Sequence, residues 1–222
     1  MSKATETELI KRLQDYIKSG DQMLFSWWHL PTQETRSVAV ICNPLGTEYV
    51  SGYRSIRHLA DRLAGNGVLT LRFDYAFTGE STGGDFSEAG VHGFIEDTKA
   101  AVLAASAKAP HARVFVLGIG LGATFAALAS ESLELKGLVL WNPTISGRKF
   151  IREQKLLSEL LNKETGDQST DIDSAGVYLT ESQQQEFRTL NLLKAELPKV
   201  ESLLVVSRSD MDQDGPLVSE LA

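Results

Sequence analysis

Cysteine is almost absent from this chain of 222 residues. Cys42 stands alone, which excludes an internal disulfide and any metal cluster built on cysteines. Basic residues are also scarce: 22 Lys and Arg face 29 Asp and Glu, a formal net charge of −7. Nucleic acid and anionic membrane are therefore excluded as main partners, because both require a cationic surface. The opening Met-Ser-Lys-Ala-Thr-Glu-Thr-Glu-Leu has no apolar core of the kind a secretory signal needs. The 17 residues from Val114 to Ser130 carry no charge, yet they do not read as a membrane span. Three glycines within five residues and a strand-like first third favour a strand, a turn and a helix. Without a membrane span, the expectation is one cytoplasmic domain, residues 1–222, with no cofactor and no metal.

That uncharged stretch is the centre of the sequence. Val114-Phe-Val116 is β-branched and aromatic, Gly118-Ile-Gly-Leu-Gly122 is a sharp turn, and an Ala- and Leu-rich helix follows. Three readings meet at the turn. One is the nucleophile elbow Gly-x-Ser-x-Gly, with Gly118 and Gly122 as the flanking glycines and Gly120 where the serine belongs. Glycine relaxes a backbone that would strain another residue, and it leaves nothing to attack a carbonyl. The second is the dinucleotide fingerprint, matched by Gly118, Gly120 and Ala123. It expects an acidic residue about 20 positions on, at the end of the next strand. That strand, Gly137–Trp141, ends at Asn142, and the fingerprint normally follows a first strand rather than a later one. In the third reading the glycines simply let a helix pack closely on a strand.

The remaining pattern gives the architecture. Leu9, Ile10, Leu13, Tyr16 and Ile17 recur at helical spacing, which predicts an amphipathic helix within residues 1–20, packed on the domain or on a partner helix. Leu24–Leu30, Ser37–Cys42, Val68–Phe73, the run from Val114, Gly137–Trp141 and Ser202–Val206 read as strands. Tyr53–Leu63 and Phe94–Ala107 read as helices. From Ala39 onward strand and helix alternate, the mark of a parallel sheet covered on both faces. After Asn142-Pro143 the alternation lapses. Ser146–Leu161 is an amphipathic helix, residues 165–176 are polar, and Thr180–Leu193 is helical again. Residues 143–199 thus read as a strand-free insertion over the strand ends.

These pieces in this order resemble the α/β-hydrolase fold from Leu24 on. Asn43-Pro-Leu-Gly46 stands where that family has its oxyanion loop. Arg72-Phe-Asp-Tyr75 with Thr78-Gly-Glu-Ser81 looks like its fourth strand and the loop that follows. Gly118–Gly122 matches the elbow, and residues 143–199 match the cap. Asn43-Pro-Leu-Gly-Thr-Glu-Tyr49, Leu71-Arg-Phe-Asp-Tyr75 and Leu138-Val-Leu-Trp-Asn-Pro-Thr-Ile-Ser-Gly-Arg148 are most similar to bacterial serine-aminopeptidase and esterase-type hydrolases, including members associated with exosortase systems. Members of that group can carry Gly-x-Arg-x-Gly at the elbow, so a non-serine elbow is not foreign to it.

The resemblance implies a site. Its oxyanion donors would be the backbone amides of Leu45 and Leu121. Asp210 would be the acid, with Asp212 and Asp214 in competition and a solvated turn as the plainer reading. The base would be a histidine after the acid, but His29, His58, His92 and His111 all precede it and read as structural or surface residues. The sequence ends at Ala222, before the expected histidine loop, so the C-terminal part of the fold is expected to be missing and the chain to be a fragment. Cys42 and Ser81 are alternative nucleophiles, although a buried strand cysteine is usually inert and a loop serine usually caps a turn. Arg148, Arg152 and Trp141 either line a pocket or hold the insertion to the core. Two functions stay open: a hydrolase of ester, amide or acyl substrates that is not a standard serine hydrolase, and a non-catalytic protein holding a carbonyl or carboxylate ligand at the Leu45 and Leu121 amides. A nucleotide-binding protein is the third and weaker reading.

Overall fold

The computed structural model describes residues 10–84, 86–161, 170–174, 176–196, 200–207 and 217. Its strands are β1 (Lys11–Ser19), β2 (Gln22–Leu30), β3 (Ser37–Cys42), β4 (Val68–Phe73), β5 (Arg113–Ile119), β6 (Gly137–Trp141), β7 (Ile172–Ser174), β8 (Val177–Leu179) and β9 (Ser202–Val206). The helices are α1 (Thr47–Gly65), α2 (Val91–Lys108), α3 (Leu121–Ala129), α4 (Gly147–Leu161) and α5 (Glu181–Arg188). Seven strands make one sheet in the order β1-β2-β4-β3-β5-β6-β9, and β7 pairs with β8 in a separate hairpin. β1, β2 and β4 run antiparallel to one another in turn, and every other pairing in the large sheet is parallel.

Side-chain alternation along β3 sorts the core into two layers. Val38, Val40 and Cys42 point into the larger cluster with Phe94 of α2 and Phe125 of α3. Ile41 points the other way, against Ile56 and Ala60 of α1. Helices therefore cover both faces of a mostly parallel sheet, which is what strand–helix alternation requires. Among the described residues no helix is long and apolar enough to cross a membrane.

The expected N-terminal helix is a strand. Residues 11–19 pair with β2 in register, Leu13 opposite Trp28 and Ile17 opposite Leu24, and Gly20-Asp21 closes a two-residue hairpin with Gly20 at φ 55°. A Gly-Asp pair between two strands is a hairpin signal in its own right. The helical spacing misled because an outer strand buries little. Only Ile17 and Ser19 of β1 are buried, so alternation has no core to enforce it.

Two other boundaries differ. Helix α1 starts at Thr47, six residues before the expected Tyr53. The segment between β6 and β9 is not strand-free, since it contains the β7–β8 hairpin between α4 and α5. That segment is tied firmly to the body. Phe187 of α5 is fully buried, stacks on Phe150 of α4 at 5.7 Å and meets Phe94 of α2 edge-on at 6.4 Å. Gln183, buried in the first turn of α5, donates from Nε2 to the carbonyls of Phe86 (2.8 Å) and Ala89 (2.6 Å). The Thr180–Gln183 capping box fixes the start of α5 and so aims that amide.

The turn from β5 into α3 is packed tightly against main-chain atoms. A Cβ on Gly118 would overlap Ala123 and the Gly122 carbonyl, and one on Gly122 would overlap the carbonyl oxygens of Cys42 and Asn43. All of these are backbone atoms of the core and cannot swing aside. Gly122→Ala is expected to cost about 3 kcal/mol of unfolding free energy. Urea denaturation checks this, and an unchanged midpoint would show that the turn has room to spare.

Candidate active site

The site is built on the same turn. Gly120 lies between β5 and α3 with φ 58° and ψ −123°, a conformation open to glycine and strained for residues with a Cβ. Its amide donates to the Trp141 carbonyl (2.9 Å), and its carbonyl accepts from Thr144 (3.2 Å) and Ala123 (3.1 Å). The Thr124 hydroxyl donates to the Thr144 carbonyl (2.8 Å), so the loop after β6 is held to α3 as well. The elbow shape is intact, and no hydroxyl stands on it.

Leu121 opens α3, and the first amides of a helix have no intrahelical acceptor. Leu45 lies in the loop between β3 and α1. The structure brings Leu45, Gly120 and Leu121 to one cavity of about 580 Å³. Its walls include Thr47 and Glu48 from the start of α1, Asn142–Ser146 after β6, Lys149, Phe150 and Glu153 of α4, and Val177 of β8. The segment between β6 and β9 thus supplies a large part of the site. Asn142 holds φ 47°, one of two non-glycine residues with positive φ among those described.

A smaller cavity of about 320 Å³ adjoins it across Leu45 and Val177 and is lined by Tyr49 and Asp74. There the Tyr49 hydroxyl donates to Asp74 Oδ1 (2.5 Å) and the Glu80 amide donates to Asp74 Oδ2 (3.1 Å). Burial pushes the Asp74 carboxyl above the usual range and pushes the Tyr49 phenol up too.

Glu48 is the residue that sequence reasoning passed over. It is exposed and lines the main cavity. A Cβ placed on Gly120 would overlap Glu48 Oε2 and would stand 3.2 Å from its Cδ. The carboxylate therefore fills the space into which an elbow side chain would project. The signal was the helix boundary: with α1 starting at Thr47, Glu48 falls in its first turn, where acids are favoured, directly beyond the oxyanion loop.

The alternative nucleophiles are not available. Cys42 is fully buried, and burial pushes its thiol up to about 12, so no thiolate forms near neutrality. The Ser81 hydroxyl donates to the Asp74 carbonyl (2.6 Å) and accepts from the Phe25 amide (2.8 Å), a stitch between loop and β2. Asp210, Asp212 and Asp214 lie outside the described residues. Arg148 and Arg152 are exposed on α4 and do not line the cavity. Trp141 lines a separate cleft of about 290 Å³ with Leu59 and Ile119. Among the described residues, no group of three His, Cys, Asp or Glu side chains is placed to hold a metal.

None of the histidines reaches the site. His58, His92 and His111 are exposed, and His29 is fully buried on β2. Its Nε2 accepts from Arg72 Nε (3.1 Å), which can only donate, so Nδ1 carries the proton and donates to Asp61 Oδ1 (2.8 Å). Asp61 also takes both arms of Arg12 at 2.8 and 2.9 Å, and Arg72 lies over the Tyr53 ring at 5.2 Å. Burial lowers His29 to about 4, against the pull of Asp61. This chain of contacts fastens β1, β2 and β4 to α1.

A mostly parallel sheet, an intact elbow and an oxyanion-type loop after β3 define an α/β-hydrolase. The sequence narrows the class further: residues 34–197 match the serine aminopeptidase family, S33, and the chain belongs to it. No curated protein matches the sequence. Among solved structures, Est1E from Butyrivibrio proteoclasticus with ferulic acid bound superposes with a TM-score of 0.67 at 18% identity, over 93% of this chain and 95% of that one. The Pyrococcus furiosus esterase PF2001 gives 0.58 at 20% identity, over 96% and 88%. XC6422 from Xanthomonas campestris, described as a serine hydrolase without lid, gives 0.54 at 22% identity. That match takes in 61% of this chain and 62% of that one. At such identities the likeness speaks to the fold.

The buried His29 carries a prediction. Its folded value near 4 lies below the ordinary 6.5, so the native protein binds fewer protons than the unfolded chain between the two. Its contribution to stability is complete above pH 6.5 and is lost as pH falls toward 4. His29→Gln keeps an acceptor for Arg72 and removes the titration. Between about pH 7 and 5 the wild type should lose roughly 2 kcal/mol more than the variant by urea denaturation. Equal losses would mean that His29 is not held neutral.

Proposed function

We propose that this α/β-fold hydrolase takes a small ester, amide or other acyl compound into the cavity at the elbow and does not form a serine acyl-enzyme. The observation that carries this reading is Gly120. The turn keeps elbow geometry at φ 58° and ψ −123°, with Leu45 and Leu121 beside it, and lacks the hydroxyl that would attack. The amides of Leu45 and Leu121 receive the carbonyl oxygen, with the first turn of α3 favouring charge that develops there. A volume of about 580 Å³ suits a small organic molecule.

A non-catalytic ligand-binding protein is the second reading, and Glu48 bears on it. A carboxylate ligand at the two amides would meet the carboxylate of Glu48 beside Gly120, a like-charge contact that weakens binding. The ligand that fits either reading is a neutral carbonyl.

A fluorophosphonate probe tests the absence of a serine nucleophile. No labelling of the native protein is expected, and strong labelling would overturn the reading of Gly120. Thermal-shift titration tests the ligand class: a neutral acyl amide should raise Tm more than the carboxylic acid of the same skeleton. The reverse order would remove Glu48 from the binding surface.

A further inference from the structure

The carboxylate of Glu48 stands where an elbow nucleophile would project, beside Gly120 and in the same cavity as Leu45 and Leu121. This is the position from which a serine would reach a carbonyl carbon whose oxygen rests on the two amides. A carboxylate at such a position can hold a water by accepting its hydrogen bond. The other charged side chains lining the cavity are Lys149 and Glu153 of α4, whose Nζ and Oε1 lie 3.9 Å apart. Of the two carboxylates it is Glu48 that stands against Gly120.

We propose that Glu48 is the general base of this site and activates water for direct attack on the bound acyl carbon. The proposal rests on the reading of the cavity as an acyl site. In the first step the water oxygen bonds to the carbonyl carbon, and the water gives one proton to Glu48. The carbonyl π electrons move to oxygen, and the amides of Leu45 and Leu121 receive that oxyanion. In the second step the oxyanion reforms the carbonyl and the bond to the leaving oxygen breaks. That oxygen takes the proton back from Glu48. The products are an alcohol and a carboxylic acid, and Glu48 returns to its ionised form with no covalent intermediate. Esters with good leaving groups are the substrate class, because a carboxylate base assists attack more than it assists the departure of a poor leaving group.

The test uses 4-nitrophenyl acetate as substrate and 4-nitroacetanilide, its neutral amide isostere, as binding probe. The expected result is turnover by the native protein, slower in deuterium oxide, with kcat lower by about 100-fold or more in Glu48→Gln and partly retained in Glu48→Asp. Isostere affinity, KM and the urea midpoint should hold in Glu48→Gln, which keeps the size and shape of an exposed side chain. Native turnover no greater than buffer would overturn the proposal, as would a Glu48→Gln rate within threefold of the native rate. In either case saturable isostere binding would leave the acyl-site reading standing. Failure of the isostere to bind or compete would instead refute the acyl site itself. Single turnover in ¹⁸O water separates base from nucleophile: label should appear in acetate alone, and label in the Glu48 peptide would replace the base role with a covalent one.

Discussion

Everything in this protein depends on how closely α3 approaches the sheet. Gly118 and Gly122 let the backbone of the helix come down on the carbonyl ends of β3 and on the turn itself, at distances where a single methyl group would collide with main-chain atoms. That approach sets the direction of α3, brings Phe125 against Phe94 in a stack at 5.2 Å, and leaves the first amides of the helix facing the strand ends. Gly120 between them takes the unusual dihedrals that such a reversal requires. The reactive-looking shape of the turn is thus a packing solution first, and it persists whether or not a nucleophile stands on it.

How much of this could be read from the sequence follows from what each segment buries. Ser37–Cys42, covered on both faces, reads as a continuous apolar run, and Val68–Phe73 as a strand broken only by Thr70 and Arg72; the limits of both coincide with the observed ones. Strand β1 was illegible because an outer strand with few buried positions has no period to display, and its spacing matched a helix by chance. The start of α1 was missed because Gly52 and the exposed Thr47, Glu48, Val50 and Ser51 dilute the helical pattern, although the first turn there carries an acid. That single boundary hid Glu48. The turn at Gly118–Gly122, by contrast, was legible because glycine spacing reports backbone geometry directly. The proximity of Glu48 to Gly120 is a contact between residues far apart in sequence, which spacing does not report.

The segment between β6 and β9 belongs to the site as much as the sheet does. Its helices bring Lys149, Phe150 and, through the β7–β8 hairpin, Val177 to the cavity. The buried amide of Gln183 and the Phe150–Phe187 stack join it to α2 and to the loop before it. Those ties hold the walls that α4 and the β7–β8 hairpin give the cavity to the body of the domain.

The hairpin at the N-terminal end has a consequence for the protein among its neighbours in a crowded solution. β4 would otherwise offer its free edge to any passing strand; β2 takes that edge, and β1 is the outermost strand on that side among the described residues. Its exposed positions include Lys11, Arg12, Asp15 and Lys18, a mixture of charges that another strand could pair with only by burying them. The hairpin therefore works as a selvedge, finishing the woven sheet so that it does not run on into the next molecule.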